Sequence, residues 1–179
     1  MTDFPLLGRR RIARSSFLTF DREYRWTPGG DVVRREVVRH PGSVVVIPWD
    51  GERVHALRQY RAPVDTAVLE LPAGKLDVAG EAPELTAVRE CIEEIGMRPE
   101  RVTLLQRCWI SPGFTDEFTW IYLAEGLTEV SADPQGAEEL HAEQIGLTVG
   151  EVRDLVDAGE VRDATTLIGL MALLRHVER

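Results

Sequence analysis

One stretch constrains this chain more than any other. Leu71-Pro-Ala-Gly-Lys-Leu-Asp-Val-Ala-Gly-Glu81 reads as a glycine-rich loop, and Arg89-Glu-Cys-Ile-Glu-Glu-Ile-Gly96 follows it, with an arginine and three glutamates packed into six residues. Pro83 stands where a helix can begin, because its missing N–H is unneeded in the first turn. Glu84 follows, where the helix dipole favours an acid. No breaker interrupts the run to Ile95, and Gly96 suits a C-terminal stop. The expectation is a helix over Pro83–Ile95.

At roughly 100° per residue, Leu85, Val88, Cys91, Ile92 and Ile95 share one face, which is expected to pack on a sheet. Glu90 and Glu94 then lie together on the other side, with Glu93 beside them and Arg89 next to Glu93. Like charges four apart cost a helix about 0.2–0.5 kcal/mol, so such an arc needs a reason. One reason is an ordinary solvated acidic face. The other is a divalent cation, since Mg²⁺ prefers oxygen ligands and keeps several waters. Glutamates on a rigid helix, beside a backbone carbonyl of the preceding loop, offer such oxygens.

In order, Glu81, Arg89, Glu90, Cys91, Glu93, Glu94, Gly96 and Met97 fit the Nudix box, and the chain resembles Nudix hydrolases. One departure is visible: six residues separate Gly74 from Glu81, where the general pattern has five. The ADP-ribose pyrophosphatase branch tolerates that extra residue. Three further features resemble this branch: Arg58-Gln-Tyr-Arg61, Glu70-Leu-Pro-Ala-Gly74, and Pro112 sixteen residues past Gly96. The resemblance implies an α/β fold, a Nudix α/β/α sandwich with a mixed sheet. It also implies a small N-terminal β-region over 1–41, expected to serve as a dimerisation element, ahead of a hydrolase domain over 42–179.

Further expectations follow from the resemblance. Activity is Mg²⁺-dependent hydrolysis of the ADP-ribose pyrophosphate to AMP and ribose 5-phosphate, with Mn²⁺ or another divalent cation as a substitute. Glu90, Glu93, Glu94 and the Ala73 carbonyl hold the metal, and Arg89 orients a glutamate. The general base lies on a loop before the last strand; Glu139 best matches its position, with Glu138 and Glu143 as alternatives. Arg61 contacts phosphate, Ser111 approaches the second ribose, and Phe17 and Trp26 are candidates to sandwich adenine or to be plain core. Arg39 is a candidate to reach the neighbouring site of a homodimer. The rivals are hydrolysis of other nucleoside diphosphate sugars or dinucleotides, an ADP-ribose-binding regulator without catalysis, and a metal-stabilised structural helix.

Composition narrows the partners. The 179 residues suit one domain with some ambiguity at the N-terminus, and a 44% hydrophobic content supports a real core. A net charge of −9 argues against nucleic acid as a partner, which calls for a basic face. An anionic substrate therefore needs a local basic group or a metal. Cys91 and Cys108 read as free thiols, and the four histidines show no ligand spacing. With no apolar run long enough to span a membrane and no signal-peptide pattern, the expectation is a cytoplasmic protein.

The remaining elements are read from local signals. Strands are expected over 17–26 and 31–40, joined by a Thr27-Pro-Gly-Gly30 turn, with Arg9-Arg10-Arg11 as a short basic cluster before them. Others are expected over 43–48, 54–60, 68–71, 102–109, 118–124 and 144–148. Thr148 and Glu151 form a capping box for a helix to Asp157. A final amphipathic helix covers 164–177, with Leu167, Leu170, Met171 and Leu174 on one face.

Overall fold

The computed structural model describes residues 3–178, which divide into two compact units. The first takes the chain up to Gly42 together with Trp109–Phe118; the second is Ser43–Cys108 with Thr119–Arg179.

In the first unit, β1 (Leu6–Arg14), β2 (Thr19–Trp26) and β3 (Val32–Arg39) form an antiparallel sheet in that order. The sequence reading expected two strands here, and the structure adds β1. Nearly every β1 side chain is exposed, so no apolar alternation announces it. Phe17 lies before β2 rather than within it. The basic triplet belongs to β1, where Arg9 donates to Glu23 at 3.0 Å and Arg11 stands 3.7 Å from Asp21. Asp21 and Glu23, on the central strand, are each only 1% exposed. Burial pushes the Glu23 carboxyl up, but hydrogen bonds from Arg25 and Arg9 and the charge of Arg39 outweigh it, and the carboxyl sits below its usual range. The Trp109–Phe118 segment joins this sheet through Val38, whose N–H donates to Phe114 O at 2.8 Å.

In the second unit, β4 (Ser43–Pro48) explains the layering. Val44 and Val46 pack in one cluster with Ala87, Cys91, Ile95 and Tyr122, and Val45 and Ile47 in another with Leu71, Val152, Leu170 and Leu173. A strand apolar on both faces is one covered on both faces. The other elements are β5 (Arg53–Arg61), β6 (Thr66–Glu70), β7 (Ala73–Lys75), α1 (Pro83–Ile95), β8 (Met97–Arg98), β9 (Arg101–Trp109), β10 (Phe118–Glu125) and β11 (Thr128–Glu129). They are followed by α2 (Ala137–Leu140), β12 (Glu143–Thr148), α3 (Val149–Asp157) and α4 (Ala164–Val177). One sheet runs β7-β4-β10-β9, with β4 parallel to β10 and antiparallel to β7; a second runs β12-β5-β6, and β11 pairs with β8. Helix α1 covers one face of the first sheet and α3 and α4 supply the other cluster, which makes the α/β/α sandwich with mixed strands.

Helix α1 has the expected bounds, and Gly96 ends it in the left-handed conformation at φ +66°. Its orientation differs from expectation. Ala87, Cys91 and Ile95 face the sheet, but Thr86 and Glu90 are buried too, while Leu85 is 61% exposed. The inward arc is turned by roughly 100° toward the acids. The capping box of α3 is present, with Glu151 N–H donating to Thr148 Oγ1 at 3.3 Å and Thr148 N–H to Glu151 Oε2 at 2.8 Å. On α4 the core takes Thr166, Gly169, Leu170 and Leu173, whereas Met171, expected on the apolar face, is exposed. The stretch before β12 is not wholly loop, because Ala137–Leu140 closes one helical turn. Among the described residues no helix is long and apolar enough to cross a membrane.

Candidate active site

The turned α1 delivers its acids to the loop between β6 and β7. Pro72 has no N–H, and its carbonyl accepts from Val46 N–H at 2.8 Å. The Ala73 N–H donates to Glu94 Oε2 at 3.1 Å. Gly74 leaves room for Glu90: a Cβ there would fall 1.8 Å from Glu90 Oε1. The glycine is thus a packing requirement of the glutamate. Gly74→Ala is expected to displace Glu90 and to lower turnover by about 10–100-fold. Steady-state kinetics measure it, and wild-type rates in this variant would show that Glu90 is not needed where it lies.

Arg89 holds the remaining acids. Its Nη1 donates to Glu90 at 2.7 Å and Glu93 at 2.9 Å, and its Nη2 to Glu81 at 3.2 Å. Glu81 also accepts from the Thr86 hydroxyl at 2.8 Å. Burial alone would lower the Arg89 pKa, but the Glu81 bonds and the charges of Glu90 and Glu93 raise it above the ordinary arginine value. Glu90 is pushed up by burial, against the pull of Arg89. Among the described residues no arginine hydrogen-bonds the Glu94 carboxylate. Burial, then the charge of Glu90, raise its carboxyl to about 8, while the Ala73 amide pulls the other way.

One arginine among four glutamates leaves surplus negative charge on hard oxygen donors, and a hard dication fits that donor set. Among the described residues, no three His, Cys, Asp or Glu side chains are already gathered as a closed set.

Other acids and bases lie around this core. Arg61 Nε donates to both Glu70 oxygens, at 2.8 and 3.0 Å, and the charges of Glu94 and Asp163 help to raise its pKa. Glu139 accepts from the Gln135 and Gly136 N–H groups at 2.7 and 3.0 Å. Its charge raises both Glu90 and Glu94, so it belongs to their neighbourhood. Glu138 acts instead on Tyr60, and Glu143 stands 3.8 Å from Arg58. The Glu70 partner of Arg61 was absent from the expected site residues. Nothing in the linear sequence joins the two, since the pairing arises across the β5–β6 hairpin.

The NUDIX domain profile matches residues 39–165. The chain belongs to the Nudix family. Among Nudix relatives, an ADP-ribose pyrophosphatase of Mycobacterium tuberculosis (strain ATCC 25618 / H37Rv) is 36% identical over 177 residues, covering 96% of this chain and 83% of that one. An ADP-ribose pyrophosphatase of Bacillus subtilis (strain 168) is 36% identical over 147 residues, covering 82% and 79%. A solved ADP compounds hydrolase superposes with a TM-score of 0.85, covering 99% of this chain and 96% of that one; at 21% identity the likeness is one of fold.

The second unit does not contain every expected site residue. Arg39, Phe17, Trp26 and Ser111 all belong to the first unit. Arg39 donates to Asp116 at 2.9 Å and is paired with Glu23. Phe17 meets the His40 ring edge-on at 5.7 Å. Trp26 ends β2, whose 8 extended residues put it roughly 20 Å or more from Phe17. Within one chain the two rings therefore do not enclose one base. Ser111 opens a tight turn, its carbonyl accepting from Phe114 and Thr115 at 3.1 Å each.

Proposed function

We propose that this Nudix hydrolase cleaves the pyrophosphate of ADP-ribose with water, giving AMP and ribose 5-phosphate. The observation that carries the reading is the pair of buried Glu90 and half-buried Glu94, set against the Ala73 amide and Gly74, with Arg89 on Glu90 and the charge of Arg61 felt at Glu94. The names borne by the two relatives at 36% identity support the choice of ADP-ribose.

Glu90, Glu93, Glu94 and the Ala73 carbonyl would hold Mg²⁺, or Mn²⁺ in its place. The ion supplies charge neutralisation for the diphosphate and acidifies bound water. Arg89 fixes the Glu90 and Glu93 carboxylates. Arg61 exchanges part of its Glu70 pairing for a phosphate oxygen, for which its planar donors are suited. Glu139 takes the proton of the attacking water. The N-terminal strands, within 1–41, join two copies into a homodimer, through which Arg39 reaches the second site; the exposed Leu6, Leu7, Ile12 and Val32 support such a contact. Ser111 faces the second ribose.

The test is a panel of ADP-ribose, ADP-mannose, GDP-mannose, UDP-glucose, NADH and FAD with Mg²⁺, read as phosphatase-releasable phosphate. ADP-ribose is expected to give the highest kcat/KM. A higher value for another nucleoside diphosphate sugar would reassign the substrate, and no turnover on any would favour a binding regulator. Light scattering at a monomer mass would reject the dimer.

A further inference from the structure

The loop that carries Ala73 is anchored at its other end by a residue outside the box and one position beyond the profile match. The segment Leu71-Pro72-Ala73 has two N–H groups, since proline has none. The Ala73 N–H goes to Glu94. The Leu71 N–H goes to Thr166 Oγ1 at 3.0 Å, a buried bond across 95 residues of sequence. Thr166 is fully buried in the first turn of α4, where its own N–H is held by the Asp163 carboxylate at 2.7 Å. The charge of Asp163 is in turn felt at Arg61. One turn further along α4, Gly169 admits Leu71: a Cβ there would fall 2.6 Å from Leu71 Cδ1.

We propose that Thr166 is a positioning residue of the cation site, its hydroxyl fixing the Leu71 amide so that the Ala73 peptide presents its N–H to Glu94 and its carbonyl to the ion. The inference rests on the cation site proposed above. Packing of Leu71 against α4 sets where the loop lies, but packing is non-directional. The Thr166 bond sets the rotation of the peptide planes, to which a backbone ligand is sensitive. Partners one step removed from a metal ligand typically govern affinity by about 10–100-fold.

The experiment compares wild type, Thr166→Val and Thr166→Ser in Mn²⁺ binding, followed by electron paramagnetic resonance, and in thermal unfolding without metal. Valine keeps the shape and removes the acceptor; serine keeps the acceptor. Thr166→Val is expected to raise the Mn²⁺ dissociation constant about tenfold, and the Mn²⁺ concentration for half-maximal turnover in parallel, with Thr166→Ser near wild type. A lowered melting temperature with unchanged Mn²⁺ binding well below it would make the bond merely structural and overturn the inference. Wild type that binds no Mn²⁺ would remove the cation site and this role with it. Wild type that binds Mn²⁺ but hydrolyses nothing in the panel would overturn the substrate reading alone.

Discussion

Glu94→Gln is expected to lower kcat by about 10³-fold with Mg²⁺ and ADP-ribose, while making the metal-free protein more stable at pH 8. Both effects come from one carboxylate. In the metal-free fold, burial and the neighbouring Glu90 raise the Glu94 carboxyl to about 8, from an ordinary 4.5. Below about pH 4.5 both folded and unfolded chains hold the proton, and nothing is lost. Between 4.5 and about 8 the unfolded chain has released it and the folded chain retains it, so stability falls as pH rises through that window. Above about 8 the folded carboxylate is ionised and the full penalty is present. Glutamine carries no such penalty, and the gain is expected to be largest at pH 8 and to vanish near pH 4. Chemical denaturation in chelator at the two pH values measures it. A Glu94→Gln enzyme with wild-type turnover would remove Glu94 from the metal site; equal metal-free stability across the window would mean that the carboxyl is not strained.

Glu139→Gln is expected to lower kcat by about 10²–10⁴-fold with little change in KM, the signature of a lost general base. The substitution is nearly silent structurally. Glu139 caps the Gln135 and Gly136 N–H groups through Oε2, and a glutamine oxygen can still accept from them. Glu139→Ala, which loses that cap as well, is expected to cost about 1 kcal/mol of stability in addition. Glu138→Gln serves as the control, since Glu138 acts on Tyr60 rather than on Glu90 and Glu94, and is expected to remain within about twofold of wild type. Single-turnover kinetics with saturating Mg²⁺ separates the chemical step from binding. Near-normal turnover of Glu139→Gln, with a large loss in Glu138→Gln or Glu143→Gln, would move the role along the loop.

The legible parts of this protein are those written by local chemistry. Helix α1 runs over its expected bounds because a proline start, an unbroken run and a glycine stop all act within one segment. The Thr148–Glu151 capping box is equally local. β4 was legible for another reason: six residues with hardly a polar group belong in a covered sheet whatever surrounds them. β1 was not legible, since its arginines look like a surface cluster until Asp21 and Glu23 on the next strand are brought against them. The active-site glutamates were legible as a motif, but their direction was not.

By itself, then, the sequence determined the family, the α/β class, the bounds of the helix and the identity of its acids. These rest on short-range signals and on a box whose spacing is its content. Only the tertiary structure decided which arc of α1 turns inward. Aliphatic periodicity favoured Leu85, Val88 and Ile92, yet the buried arc includes Thr86 and Glu90 and leaves Leu85 in water. The physical reason lies outside the helix. A residue without a side chain at Gly74 opens a space that Glu90 fills, the Ala73 amide gives Glu94 a donor, and Arg89 reaches the rest. The Thr166 bond to Leu71 spans 95 residues and is likewise visible only once α4 has packed on the sheet.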